Sequence, residues 1–135
     1  MSKKANLLVS LISIVDDDES VREATTSLLK SNGFRTEVFA SAEDFLASRY
    51  LVETKCLILD VQMPGMNGLE LQRRLASDHR SIPIIFISAQ NNPAVRKQAA
   101  RSGAIDFLPK PFSEEALLRA VRAALGMANE NLTSF

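Results

Sequence analysis

The chain of 135 residues has a single cysteine, Cys56, so neither an internal disulfide nor a cysteine zinc cage is available to it. That fits a reducing compartment. Cys56 lies inside an apolar run, where a thiol serves as a small core side chain rather than a reactive group. Charge of one sign is also lacking. The 16 Lys and Arg are matched by 16 Asp and Glu, so no global basic field draws nucleic acid or an anionic membrane. Long hydrophobic runs are absent too. Leu7–Val15 behind Lys3 and Lys4 superficially looks like a signal peptide, but Asp16, Asp17 and Asp18 follow directly, with no small-residue cleavage site. The run also falls far short of the roughly 20 residues a spanning helix requires. A cytoplasmic protein without a membrane partner is the expectation. The one histidine, His79, stands in the polar stretch Ser77–Ser81, far in sequence from the acids, and reads as a solvent-exposed turn residue.

A hydrophobic content of 46% rules out a largely disordered chain, and the length allows one domain with a real core. Five apolar segments alternate with five helical patterns. Leu11–Val15 reads as the first strand. Val21, Thr25, Leu28 and Leu29 follow at helical spacing, and Asn32-Gly33 stops that helix. Phe34–Phe39 alternates apolar and polar residues, as a strand near a sheet edge does. Ser41 opens a short helix with Phe45, Leu46 and Tyr50 on its apolar face. Cys56–Asp60 is an unbroken apolar run ending on an acid, the pattern of a strand buried on both faces. Leu71 and Leu75 mark the third helix, with Arg73 and Arg74 turned elsewhere. Ile84–Ser88 is a further buried strand, with Pro83 where a missing donor does least harm. The fourth helix, 93–102, carries only a thin stripe of Val95, Ala99 and Ala100. Ala104–Leu108 is the fifth strand. Ser113 caps a last helix whose Leu117, Leu118, Val121 and Leu125 face inward. The tract 126–135 is polar and aperiodic, either a fraying end or the start of a linker. Such alternation predicts an α/β fold: a doubly wound five-stranded parallel sheet with helices on both faces.

In a parallel sheet the carboxyl ends of the strands share one edge, where ligands gather. Here that edge would receive Asp16 and Asp17 after strand one, Asp60 after strand three, Ser88 after strand four and Lys110 after strand five. Each alone has a plain explanation: acids after a strand form turns or cap helices, Ser88 is an ordinary strand-end residue, and Lys110 is a solvated charge. Their joint placement favours a site. Three crowded carboxylates repel one another unless a cation intervenes, and Mg²⁺ takes oxygen ligands and bridges carboxylates to phosphate. The set suits a phosphoryl group arriving on a carboxylate.

The phrases IVDDDESVR, LILDVQMPGMNG, IFISAQ and GAIDFLPKPF, in that order and spacing, resemble the receiver domains of two-component response regulators, which share the flavodoxin-like (CheY-like) fold with strand order 2-1-3-4-5. The likeness covers about 12–125, and NGFRTEVFASAEDFL is most similar to receivers joined to LuxR-type output domains, as in the FixJ group. It implies a tail over 1–10, a receiver over 11–125 and a flexible tail or linker over 126–135. It makes Asp60 the phosphoacceptor, Asp17 a direct Mg²⁺ ligand, Asp16 a ligand largely through water and Gln62 a donor through its backbone carbonyl. The Gln62 and Gln90 side chains occupy positions that tune the hydrolytic water. Ser88 matches the hydroxyl that follows the phosphoryl oxygen, Lys110 pairs with the phosphoryl group, and the Lys110–Pro111 peptide is cis. Phe107 holds the aromatic switch position, where many relatives carry tyrosine; Pro109 before the lysine is less usual.

The implied partners are a sensor histidine kinase or phosphotransfer protein, a DNA-binding output domain outside this chain, and a second copy on activation. Output is expected at the face of helix four, strand five and helix five. The chain would catalyse only its own phosphotransfer and dephosphorylation. Three other readings compete. A Mg²⁺-dependent aspartyl-phosphate hydrolase of the haloacid dehalogenase type normally has a second Asp two residues past the nucleophile, where Gln62 stands here. A flavodoxin-like nucleotide binder needs a Gly-rich loop after strand one, where this chain has three acids. A receiver-like interaction module that takes no phosphate would have no use for the acid–acid–hydroxyl–lysine set.

Overall fold

A computed structural model describes residues 10–127. Five parallel strands, β1 (Leu11–Val15), β2 (Arg35–Phe39), β3 (Thr54–Asp60), β4 (Ile84–Ser88) and β5 (Asp106–Pro109), form one sheet in the order β2-β1-β3-β4-β5. The helices are α1 (Glu19–Ser31), α2 (Ala42–Ala47), α3 (Gly68–Ser77), α4 (Pro93–Arg101) and α5 (Glu114–Ala124). The fold is thus the doubly wound α/β sheet that the alternation predicts. Most of the proposed tails, 1–9 and 128–135, lie outside the described residues.

Two cores flank the sheet. On one face Ile12, Ile14, Ile58, Ile85 and Ile87 meet Leu29 of α1 and Leu117 and Val121 of α5. On the other, Leu57, Leu59 and Phe86 meet Phe45 of α2, Leu71 and Leu75 of α3 and Ala99 of α4. Alternate residues of β3 serve opposite cores, which is why its sequence is apolar from Cys56 to Leu59. Burying each of its leucines and isoleucines fully contributes about 1.5–3 kcal/mol. This central strand therefore fixes the height of Asp60 at the sheet's edge.

Ser41 and Ser113 cap α2 and α5 as expected, and Asn67 and Asn92 do the same for α3 and α4, each side chain accepting backbone N–H groups at the start of its helix. Asn67 with Glu70 forms a reciprocal capping box. Five expectations need correction. Strand β2 starts at Arg35 rather than Phe34, whose N–H closes the end of α1 on the Leu29 carbonyl. Strand β3 starts at Thr54, because the buried Thr54 hydroxyl is satisfied by Ser13 Oγ and the Tyr50 carbonyl, each at 2.7 Å. Strand β5 runs Asp106–Pro109 rather than from Ala104, whose N–H is spent closing the end of α4 on the Ala99 carbonyl. Tyr50 belongs to a separate 3₁₀ turn, Arg49–Leu51. Ala100 of α4 is exposed, leaving Ala99 as that helix's buried residue.

Cys56 is fully buried and burial pushes its thiol up to about 12. His79 is exposed and takes a left-handed φ of 58°, ending α3 with its own N–H on the Ala76 carbonyl and that of Arg80 on the Leu75 carbonyl. Among the described residues no helix is long and apolar enough to cross a membrane.

Candidate functional site

Asp16 follows the last residue of β1, with its N–H on the Phe39 carbonyl of neighbouring β2. Its carbonyl accepts Arg22 Nη1 at 2.7 Å and its Oδ1 accepts the Asp18 N–H at 2.9 Å. Both contacts aim the buried carboxylate inward. Asp18 itself turns away to cap α1, accepting from Ser20 and Val21. Of the three consecutive acids, one is therefore structural. Asp17 is exposed at the rim.

Asp60 closes β3 and is only 4% exposed. Asp16, Asp17 and Asp60 each place one carboxylate oxygen within 4.8 Å of the others. Lys110 reaches into the same group, with Nζ 2.7 Å from Asp16 Oδ2 and 3.5 Å from Asp60 Oδ1. Burial, and next the Asp16 carboxylate, push the Asp60 carboxyl up to about 7, against the pull of Lys110 and of the Gln62 N–H at 3.4 Å. Burial works against the Lys110 charge as well, yet the Asp16 and Asp60 carboxylates outweigh it and its ammonium ends above the ordinary value. One ammonium against three carboxylates leaves the cluster net negative. An all-oxygen donor set of this charge fits a hard divalent cation such as Mg²⁺.

Ser88 ends β4, buried, and its hydroxyl is engaged with its own loop: it donates to the Gln90 carbonyl at 2.9 Å while the Gln90 N–H lies 3.1 Å from Oγ. Gln62 and Gln90 are exposed, on the loops that follow β3 and β4. Lys110 is placed by its N–H on the Ser88 carbonyl at 2.7 Å, and its peptide to Pro111 is cis. Pro109 pairs with Ser88 on the edge strand β5, a place where a residue without an N–H is tolerated. Phe107 is 7% exposed, its ring 6.2 Å from that of Phe86, with the Arg96 guanidinium of α4 5.1 Å above it.

Three contributors had not been singled out from the sequence. Gly68 begins α3 so close to β3 that an added Cβ would collide with the Asp60 carbonyl oxygen and meet Val61 Cα at 3.0 Å. Glu43 on α2 accepts the Met66 N–H at 2.9 Å, and this bond, foremost, holds its carboxyl below its ordinary value. Glu43 Oε2 also lies 2.7 Å from where a Cβ would stand at Gly65, whose φ is 75°. The loop after Asp60 is thus fixed from outside. Arg96 is the third. Only Gly68 left a signal, as a glycine at the first turn of a helix directly after a site loop.

The model of the response regulator receiver domain family matches residues 12–122. The chain belongs to that family. Response regulator protein TmoT of Ectopseudomonas mendocina is 50% identical over 119 residues, covering 88% of this chain and 54% of that protein. Transcriptional regulatory protein FixJ of Azorhizobium caulinodans is 36% identical over 119 residues, 88% of this receiver and 56% of that protein. Among solved structures, response regulator StyR superposes with a TM-score of 0.81 at 44% identity, covering 92% of this receiver and 63% of that chain. This receiver spans about half the length of the curated relatives it matches.

Proposed function

We propose that this receiver accepts a phosphoryl group on Asp60 from a histidine kinase or phosphotransfer protein and turns the added charge into a change at the face of α4, β5 and α5. The observation that carries the proposal is the convergence of Asp16, Asp17, Asp60 and Lys110 at one sheet edge, on residues 94 positions apart in sequence at their extremes (110 − 16). Asp16, Asp17, Asp60 and the Gln62 backbone carbonyl would hold Mg²⁺, which when bound supplies charge neutralisation for the incoming phosphoryl oxygens.

An Asp60 oxygen forms the new bond to phosphorus while the bond from phosphorus to the donor breaks, its electron pair leaving with the donor. The attacking carboxylate must be ionised, and Lys110 favours that form. Once attached, the doubly charged group is a strong acceptor within reach of the Lys110 ammonium. Ser88 gives up the Gln90 carbonyl and donates to a phosphoryl oxygen instead, drawing the loop before α4 with it. Phe107 and Arg96, stacked across β5 and α4, carry that displacement to the output face. Phosphorylation changes the relative stability of two forms of one fold. The similarity to a transcriptional regulatory protein of which this receiver covers 56% supports an output domain beyond this receiver and transcriptional control; a cytoplasmic location and dimerisation upon activation complete the proposed reading.

Intact-mass measurement after acetyl phosphate tests the proposal. Wild type with Mg²⁺ should gain one phosphoryl group, and Asp60→Asn or wild type in chelator should gain none. Continuous turnover of a small phosphate ester without a labelled protein would point to a hydrolase instead.

A further inference from the structure

Helix α4 is thinly seated. Ala99 is its buried side chain, Val95 is half-buried, and Arg96 reaches out to Phe107. Among the described residues, the side-chain hydrogen bonds that tie α4 to another element come from Gln72 on α3. Gln72 Nε2 donates to the Ala99 carbonyl at 3.3 Å and to the Ser102 carbonyl at 3.4 Å, both beyond the preferred range. The Ala99 carbonyl also accepts the Ala104 N–H at 3.0 Å in the turn that Gly103 closes at φ 94°. One side-chain amide thus grips the last turn of α4 by two carbonyls.

The grip carries a penalty. Gln72 is 5% exposed, and its buried Oε1 has no hydrogen-bond partner. An apolar side chain of the same shape would fill the site without stranding an acceptor. What the amide adds is a specific hold on α4. An open cleft of about 460 Å³, lined among others by Gln72, Arg80, Ser102 and Ile105, lies beside these bonds and leaves the end of α4 room to shift. Gln72 also sits about one turn along α3 from Gly68, the residue pressed against the Asp60 carbonyl. Helix α3 is therefore abutted on the Asp60 backbone at one end and holds α4 further along.

We infer that Gln72 is a positioning residue of the switch: its buried amide pins the C-terminal end of α4 to α3 in the resting form, and breaking that hold is part of activation. The inference rests on Asp60 as phosphoacceptor. It provides a second connection from the site to α4, separate from Ser88 and Phe107. Because the two bonds are long and the acceptor is stranded, the hold is weak enough to be undone by a modest rearrangement.

Gln72→Met, close in shape but without the amide, tests it, with Gln72→Leu as a second variant should the first fold poorly. Amide exchange by NMR reads the anchor without phosphorylation. Gly103 and Ala104, whose N–H groups close the end of α4, should exchange about fivefold faster, while the slowest amides of β3 exchange no faster than in wild type. Titration with beryllofluoride and Mg²⁺ reads the switch, and its apparent affinity should rise about two- to fivefold as the resting form loses its hold. Unchanged exchange at Gly103 and Ala104, or acceleration only in step with β3, would overturn the anchor. Faster exchange with an unaltered beryllofluoride affinity would overturn the switch role. A wild type that binds no beryllofluoride defeats the phosphoacceptor reading and the switch role with it, whereas the exchange data still decide the anchor.

Discussion

Replacing Asp60 by asparagine removes a charge from the most crowded point of the site while keeping the side chain's shape, and it should make the apoprotein more stable at neutral pH. Burial and the adjacent Asp16 raise the Asp60 carboxyl from 3.8 to about 7. Between these values the native state binds a proton that the unfolded chain has released. Wild-type stability therefore falls as pH rises through this window, with the penalty absent below about 4 and complete above about 7. Roughly three pKa units correspond to a ceiling of about 4 kcal/mol. Water reaching the open rim screens the group, which brings the expected gain from Asp60→Asn to about 1–2 kcal/mol. Urea unfolding in chelator at a series of pH values measures it. The Asn variant should exceed wild type at pH 8, and the difference should shrink toward pH 4. Adding Mg²⁺ at pH 8 should narrow the gap by stabilising wild type more. Equal stabilities at pH 8, or a difference that grows on acidification, would refute the electrostatic account of the site.

Gly68→Ala should lower stability by about 1–3 kcal/mol in the same unfolding assay, because its Cβ meets β3 backbone that has no freedom to yield; a neutral result would mean α3 can back away from Asp60. His79→Gly should raise stability by about 0.5–1 kcal/mol, since glycine adopts the left-handed φ of 58° without penalty. Cys56, buried and with its thiol pushed up to about 12, should resist a thiol-specific reagent at pH 8 until the protein is unfolded. Prompt labelling of the native protein would show that β3 opens far more readily than its packing implies.

The alternation of apolar runs and helical patterns carried the fold because β3 and β4 are buried on both faces and leave nearly continuous hydrophobic stretches in the sequence. The elements misjudged at their ends are those held by polar groups. Thr54 joins β3 through hydroxyl bonds that hydrophobic periodicity does not register, and Ala104 is withheld from β5 by the turn that ends α4. The charged members of the site were legible because a parallel sheet sends every strand's carboxyl end to one edge, whatever the sequence distance. Their division of labour came from the family resemblance alone: nothing in three adjacent acids by themselves says that Asp18 caps α1 while Asp16 turns inward to Lys110. Glu43, Arg96 and Gln72 escaped notice for a related reason. Each acts on an element distant in sequence, and an isolated polar residue on a helix gives no sign of which neighbour it will face.

Trapping the modified residue tests the central claim most directly. Borohydride reduces an aspartyl phosphate to homoserine, so wild-type protein treated with acetyl phosphate and Mg²⁺, then reduced and mapped by peptide mass spectrometry, should carry homoserine at position 60 alone. Homoserine at position 16 or 17, or unaltered aspartate at all three positions after phosphodonor and Mg²⁺, would contradict it.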